Sequence, residues 1–197
     1  MAPETHLLIS WLIAAKTTDH PRDCRLVTLA GLAPDADGLG LILDLANNAL
    51  GRHPTQFYAQ YHHYYLHGLF GAALIAGVSA AMARRRVRVA LLALVVVHLH
   101  LLCDLLGSRG PSSVDLWPIF YYGPFARDPM WLWKGQWRLD GWQNRLISVT
   151  LFGCALWLPL QLGHSIVGVF SQRADRAVVG VLRKWHDAFI ARVWPQR

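Results

Sequence analysis

Glutamate is all but missing from this chain: Glu4 stands alone against eleven aspartates. Asp is a poor helix former but a good turn, capping and metal-ligating group, so the acidic residues point away from solvated helix surfaces. Charge of either sign is scarce, at 16% of 197 residues, while hydrophobic residues make up 54%. That balance excludes an ordinary soluble domain of this length. Cysteine is limited to Cys24, Cys103 and Cys154, an odd number with no CxxC pair. They read as small apolar fillers rather than as a disulfide framework or a thiolate zinc knuckle. There is no GxSxG elbow, Walker loop or HExxH pair. The first fifteen residues lack the basic start and small-residue cleavage site of a signal peptide, so membrane insertion is expected from internal segments.

What is present is long apolar runs. Leu66–Ala83, Val89–Leu106 and Leu146–Phe170 each approach or exceed the ~20 residues that cross a bilayer. His6–Ala15 and Leu26–Ala33 are shorter, worth ~12–15 Å of helix each, and suit half-spanning helices packed on the spans. From Arg173 onward basic and apolar residues alternate at helical spacing, as in a surface-lying amphipathic helix with an aromatic anchor or a soluble cytosolic helix. Residues 107–144 are rich in Trp, Tyr, Pro and Gly, the composition of an ordered interfacial loop. The expectation is an all-α, multi-pass membrane helical bundle. It has two short N-terminal helices, about three full spans and a C-terminal amphipathic helix. Residues 1–172 form the membrane domain and 173–197 the basic helix.

The net charge is +7, but the basic residues fall in short clusters beside apolar runs, which fits membrane topology and not nucleic acid. Arg84, Arg85, Arg86 and Arg88 separate the first two spans. Lys16, Arg22 and Arg25 separate the short helices. Arg173, Arg176, Arg183 and Lys184 follow the last span. The positive-inside rule places these clusters and the C-terminus in the cytoplasm. His67 then lies ~26 Å above the basic turn and Asp104 ~24 Å above it, at 1.5 Å per residue. His6 and Asp35/Asp37 reach the same outer level if the short helices form an up-down hairpin.

Histidine and aspartate at one depth suit zinc, manganese or iron. His100 and Asp104 are i, i+4 and share a helix face, as do His63 and His67. His62 joins only if the chain before Leu66 is not helical. His98 points away from His100 and reads as a buried histidine bonded to a neighbouring helix. The candidate ligands are therefore His6, Asp35, Asp37, His62 or His63, His67, His100 and Asp104. They exceed the needs of one catalytic zinc and would serve two metals bridged by an Asp. Taken singly, Asp35 and Asp37 are ordinary turn residues and His6 an ordinary interfacial histidine. Their convergence at one level favours a site. Asp115 and Asp140 read as caps and loop bonds. Arg109, Arg127 and Arg138 could meet an anionic substrate or lipid phosphates.

"THLLIS", "LAPDADG", "HHYYLHGLFGAAL" and "HLLCDLLGSRG", in that order, resemble the YdjM-like membrane-bound metal-dependent hydrolases over roughly residues 5–120. The resemblance implies metal ligation by His6, Asp35, Asp37, His62, His67, His100 and Asp104. The chain departs from the family pattern at His63, where the family has Arg, at Leu66 for Thr, at Gly68 for Ser, and at Gly38 for a His found in relatives. The motif order is also distantly similar to the zinc-dependent phospholipases C. The resulting expectation is an inner-membrane hydrolase that holds one to three divalent ions, zinc foremost and manganese or iron as alternatives. It would cleave a phosphoester of a lipid or lipid-linked substrate with metal-activated water. Asp37 or Asp104 would act as base, Arg109 would bind substrate, and the site would face the outer side. The alternatives are a metal or ion transporter and a non-enzymatic protein whose metal staples helices. The apolar inner halves of the spans count against transport.

Overall fold

The structure is a computed structural model that describes residues 1–53 and 55–193. It holds eight α-helices and no strand among the described residues. The helices are α1 (Pro3–Thr17), α2 (Pro21–Ala30), α3 (Gly40–Ala49), α4 (Phe57–Tyr61), α5 (Leu69–Met82), α6 (Arg86–Gly107), α7 (Trp142–Leu162) and α8 (Gln172–Val193). Short 3-10 segments, Ala33–Leu39 and Ile166–Val169, link α2 to α3 and α7 to α8. Pro3 and Pro21 open their helices, where a missing N–H is tolerated, and His20 caps α2 by accepting from Arg22 N–H.

The core lies among α1, α2, α5, α6 and α7. Trp11, Val27, Val89, Val96 and Val97 fill it. Ala14, Ala30, Ala72, Ala76 and Ala93 let the helices approach closely. At Gly31, an added Cβ would lie 1.7 Å from Ser10 Oγ, so α1 and the end of α2 meet at a distance only glycine permits. Outward-facing side chains such as Leu91, Val95, Val149 and Phe152 remain apolar and exposed, as lipid-facing surfaces are.

Two helices, α6 and α7, are long and apolar enough to cross a membrane. α2 and the Ala33–Ala49 segment would make a third as one span bent by 48°. The first expected span is shorter than the sequence indicates. α5 has 14 residues, about 21 Å of helix, because residues 62–68 form turns that precede it. Asp37 causes this locally by accepting the N–H groups of Tyr65 and Leu66. The third expected span ends at Leu162 and not at Phe170. Gly163 adopts φ 73°, a left-handed cap, one turn after Pro159 removes an N–H. α3 and α4 have no counterpart in the sequence reading. Ile42, Leu43 and Leu45 of α3 are exposed, so the helix has no protein partner on that face. The expected C-terminal segment is helical from Gln172 to Val193, and its last four residues, 194–197, lie outside the described residues.

The basic clusters gather at one end of the bundle. Arg85 and Arg88 pair with Asp19. Asp23 holds the turn before α6 by accepting Arg84 N–H and Arg85 N–H. Arg25 reaches the Gly168 carbonyl, beside the start of α8. The start of α1 and the end of α6 lie at the opposite end.

Candidate metal centre

Four separate segments bring His and Asp side chains to that opposite end. α1 supplies His6, the 3-10 segment supplies Asp35 and Asp37, the turn after α4 supplies His62, His63 and His67, and the last turns of α6 supply His100 and Asp104. Two groups have ligand atoms within 4.8 Å of one another: His6, Asp35, His100 and Asp104, and beside them His62, His63 and His67.

Asp104 joins the groups. Its Oδ1 lies 3.2 Å from His6 Nε2. Its Oδ2 lies 3.1 Å from His100 Nε2, 3.5 Å from His67 Nε2 and 3.6 Å from His63 Nε2. Ser108 Oγ donates to Oδ1, and the Met1 amino group contacts the same oxygen. Asp35 Oδ1 stands 3.6 Å from His100 Nε2.

The outer contacts fix the imidazoles. His100 Nδ1 lies 2.8 Å from the Gly31 carbonyl, which can only accept, so Nδ1 carries the proton and Nε2 presents a lone pair. His67 Nδ1 lies 3.2 Å from Asp37 Oδ2, which orients that ring likewise. His67 Nε2 and His100 Nε2 then face each other at 3.2 Å beside the Asp104 carboxylate. Several acceptors pointed at one small volume call for a cation. Both ring nitrogens of His6, Nδ1 of His62 and of His63, and Oδ2 of Asp35 are buried with no hydrogen-bond partner, as unloaded ligands would be.

Electrostatics favour neutral donors at His62 and His63. Burial, helped by the neighbouring His67, pushes His62 down to about 4, and the same causes hold His63 well below the ordinary histidine range. Both rings are neutral near pH 7, the form that binds a metal. For His67, burial works against charge, but Asp104 and Asp37 outweigh it and raise the ring's pKa.

His62 and His63 both enter the cluster because the chain there is not helical. α4 ends at Tyr61, and His63 takes φ 67°, an uncommon backbone for a non-glycine residue. Asp37 stands outside both groups: its Oδ2 already accepts from Tyr65 N–H, Leu66 N–H and His67. It meets the cluster at His67 Nδ1, the ring nitrogen away from Asp104. His98 is half-buried and bonds its own helix at the Leu94 carbonyl, and Tyr121 of the loop, not a neighbouring helix.

A cleft of about 240 Å3 reaches the cluster, walled by Asp35, Tyr58, His62, His63, Asp104 and Trp117. Arg109 is not on its wall. Its backbone joins the loop to Trp137 and Leu139, and its Nε is buried without a partner. Arg138 is engaged by Asp140, and Arg127 lies over the rings of Tyr64 and Phe120.

Sequence reasoning missed Gln136 and Asn144. Gln136 Nε2 donates to the carbonyls of Asp104, Leu105 and Trp117, and its Oε1 accepts from Trp117 N–H. Asn144 donates to the Gly107 and Leu139 carbonyls and accepts from Trp137 Nε1. With Trp137 N–H, which donates to the Leu106 carbonyl, they satisfy the open end of α6, where the last carbonyls of a helix lack partners. Neither residue sits in a motif, and only their place among aromatic residues sets them apart.

Residues 1–166 match the family model described as YdjM inner membrane protein. No curated protein and no solved structure gives a significant match.

Proposed function

The chain belongs to the YdjM inner membrane protein family, and from that premise we propose that it is a membrane-bound, metal-dependent hydrolase acting on a phosphoester of a lipid or lipid-linked molecule. The observation that carries this reading is the convergence of lone pairs from His67 and His100 on the Asp104 carboxylate, at the foot of an open cleft. His6, Asp35, His100 and Asp104 would hold one ion, and His62, His63 and His67 a second, with the two oxygens of Asp104 facing both groups. A bound zinc or manganese would supply Lewis acidity and a water of lowered pKa.

The chain's own residues do the rest. The Gly31 carbonyl and Asp37 hold the two central imidazoles in the required tautomer. Asp35 and Asp104 both line the cleft, and either carboxylate would take the proton from water. Asp37, with three donors already on one oxygen, acts as a positioning residue. Tyr58 and Trp117 give the cleft an apolar wall suited to the neutral part of a lipid. The exposed leucines and isoleucine of α3, which follows the Asp35/Asp37 segment directly, would rest in the headgroup layer beside the mouth. In this reading the basic end is cytoplasmic and the site faces outward. α8, with Trp185 and Phe189 exposed, lies along the inner surface. The open cleft favours an enzyme over a purely structural metal, because a staple has no use for access.

The test is metal content and hydrolysis in mild detergent without chelators. The wild type is expected to carry zinc, manganese or iron and to release product from phosphodiester or phospholipid substrates. Asp104→Ala is expected to lose both. Full metal-dependent hydrolysis by Asp104→Ala would refute the site, and a folded wild type that takes up no metal would refute the function.

A further inference from the structure

The charge on the wall of the cleft is one-sided. No lysine or arginine among the described residues lines it, whereas Asp35, Asp104 and Asp115 do. The Met1 amino group on the same wall is already engaged by Asp104 and Ser108. Under the proposed function Asp35 and Asp104 serve the ions and the attacking water. Asp115 is the carboxylate that remains.

Asp115 is exposed and makes no ion pair among the described residues. Its place is fixed by the loop. Gly110 N–H donates to the Asp115 carbonyl at 3.0 Å and closes the turn. An added Cβ at Gly110 would lie 1.7 Å from Asp115 Oδ2, so the carboxylate rests where a glycine leaves room. Two residues on, Gln136 pins the Trp117 backbone by accepting its N–H and donating to its carbonyl. Tyr58 is held by Asp44, which accepts its N–H at 2.9 Å. The rings of Tyr58 and Trp117 stand 5.7 Å apart, tilted by 59°, and both are half-buried on the cleft wall.

These rings are apolar toward a neutral group, but their faces carry negative charge density and attract a cation within ~6 Å. A carboxylate on the same wall adds charge attraction, and a cleft lined by one sign of charge focuses its field. An anionic headgroup meets the opposite, because no basic side chain there offsets its charge.

We propose, on the premise of the proposed function, that the cleft is specific for a phosphodiester whose alcohol carries an ammonium group. The ammonium sits between Asp115 and the rings of Tyr58 and Trp117, with the phosphate at the histidine cluster. The volume of about 240 Å3, or about eight waters at ~30 Å3 each, has room for a phosphate and a small alcohol. A primary and a quaternary ammonium share this chemistry.

The test uses the full chain loaded with zinc in detergent. Calorimetric titration compares three soluble diesters: glycerophosphoethanolamine, glycerophosphocholine and glycerophosphoglycerol. The wild type is expected to bind one or both ammonium diesters about three- to tenfold more tightly than the glycerol diester. Asp115→Asn is expected to remove most of that preference and Asp115→Lys to reverse it, with metal content unchanged. The ethanolamine and choline arms assign the site to a primary or a quaternary ammonium. Equal binding of the three diesters by the wild type overturns the proposal, as does a preference that survives in Asp115→Lys. Should the wild type take up no metal, the proposed function fails by itself, and saturation-transfer NMR with ethanolamine and choline alone decides the ammonium site. A signal lost in Asp115→Asn then upholds it. No signal in the wild type, or an equal signal in Asp115→Asn, overturns it.

Discussion

His67 and His100 meet Nε2 to Nε2 at 3.2 Å, and the Nδ1 of each is already committed, one to Asp37 and one to the Gly31 carbonyl. Two lone pairs held this close, with the Asp104 carboxylate beside them, repel unless a proton or metal ion lies among them. The contact therefore needs either a proton on one ring or a cation between the two.

Asp37→Asn separates an inner ligand from a positioning residue. The amide keeps the side chain's shape but loses the charge that orients His67. Metal affinity is expected to fall about 10–100-fold while uptake at saturating metal survives. Asp104→Asn, by contrast, is expected to abolish uptake of at least one ion. Titration with a zinc-competing chelator reads both.

Gly31→Ala tests the carbonyl that orients His100. The new Cβ would lie 1.7 Å from Ser10 Oγ and 2.6 Å from Ser10 Cβ, so the α1–α2 contact must open. A loss of about 1–3 kcal/mol in stability is expected, with weaker metal binding. Ser10→Gly in the same chain is expected to restore much of both, which a purely local helix effect would not do.

The metal-free protein is expected to lose stability in acid. Burial and the neighbouring His67 hold folded His62 at about 4, while an unfolded histidine takes its proton near 6.5. The unfolded chain then binds the extra proton, so this contribution is complete above pH ~6.5 and is lost as the pH falls toward 4. The full effect is of order 3 kcal/mol. His67 has the opposite sign: its raised pKa favours the fold at low pH and fades as the pH rises through the folded value. In chelator-treated samples, melting temperature against pH is expected to show a shallower acid limb in His62→Gln than in wild type.

Gln136→Leu is expected to cost about 2–3 kcal/mol, because the carbonyls of Asp104, Leu105 and Trp117 lose their donor in a buried place. A lower melting temperature with the cation-binding residues intact would place Gln136 in support of the α6 end. An unchanged melting temperature would remove that role.

The inner ring was legible because its residues carry their own signal. His100 and Asp104 sit i, i+4 on an apolar helix, and His6, Asp35 and His67 fall at the same height by simple rise per residue. The exact bounds were not. Leu66–Ala83 looks like one helix by composition, yet Asp37 withdraws the N–H groups of Tyr65 and Leu66 into its own carboxylate and starts the helix at Leu69. That contact joins residues 28 and 29 apart, and no local pattern encodes it. The same turn makes room for both His62 and His63, a choice that helical spacing alone posed as a dilemma. α3 was missed because its leucines, close after a Pro-Asp turn, are too few for a span and have no polar stripe to reveal the helix. The cap on α6 from Gln136 and Asn144 depends on how the aromatic loop folds back, which composition does not specify.

The distance between His6 and Asp104 along the chain also has a timetable. Ribosomes add about 5–20 residues per second, so the first histidine of the centre waits ~5–20 s for its aspartate to be made. Throughout that interval the early helices enter the bilayer with imidazoles and carboxylates that have no companion. Under the proposed function, the group of His6, Asp35, His100 and Asp104 can take up its ion only once α6 has been made, whereas His62, His63 and His67 are together earlier.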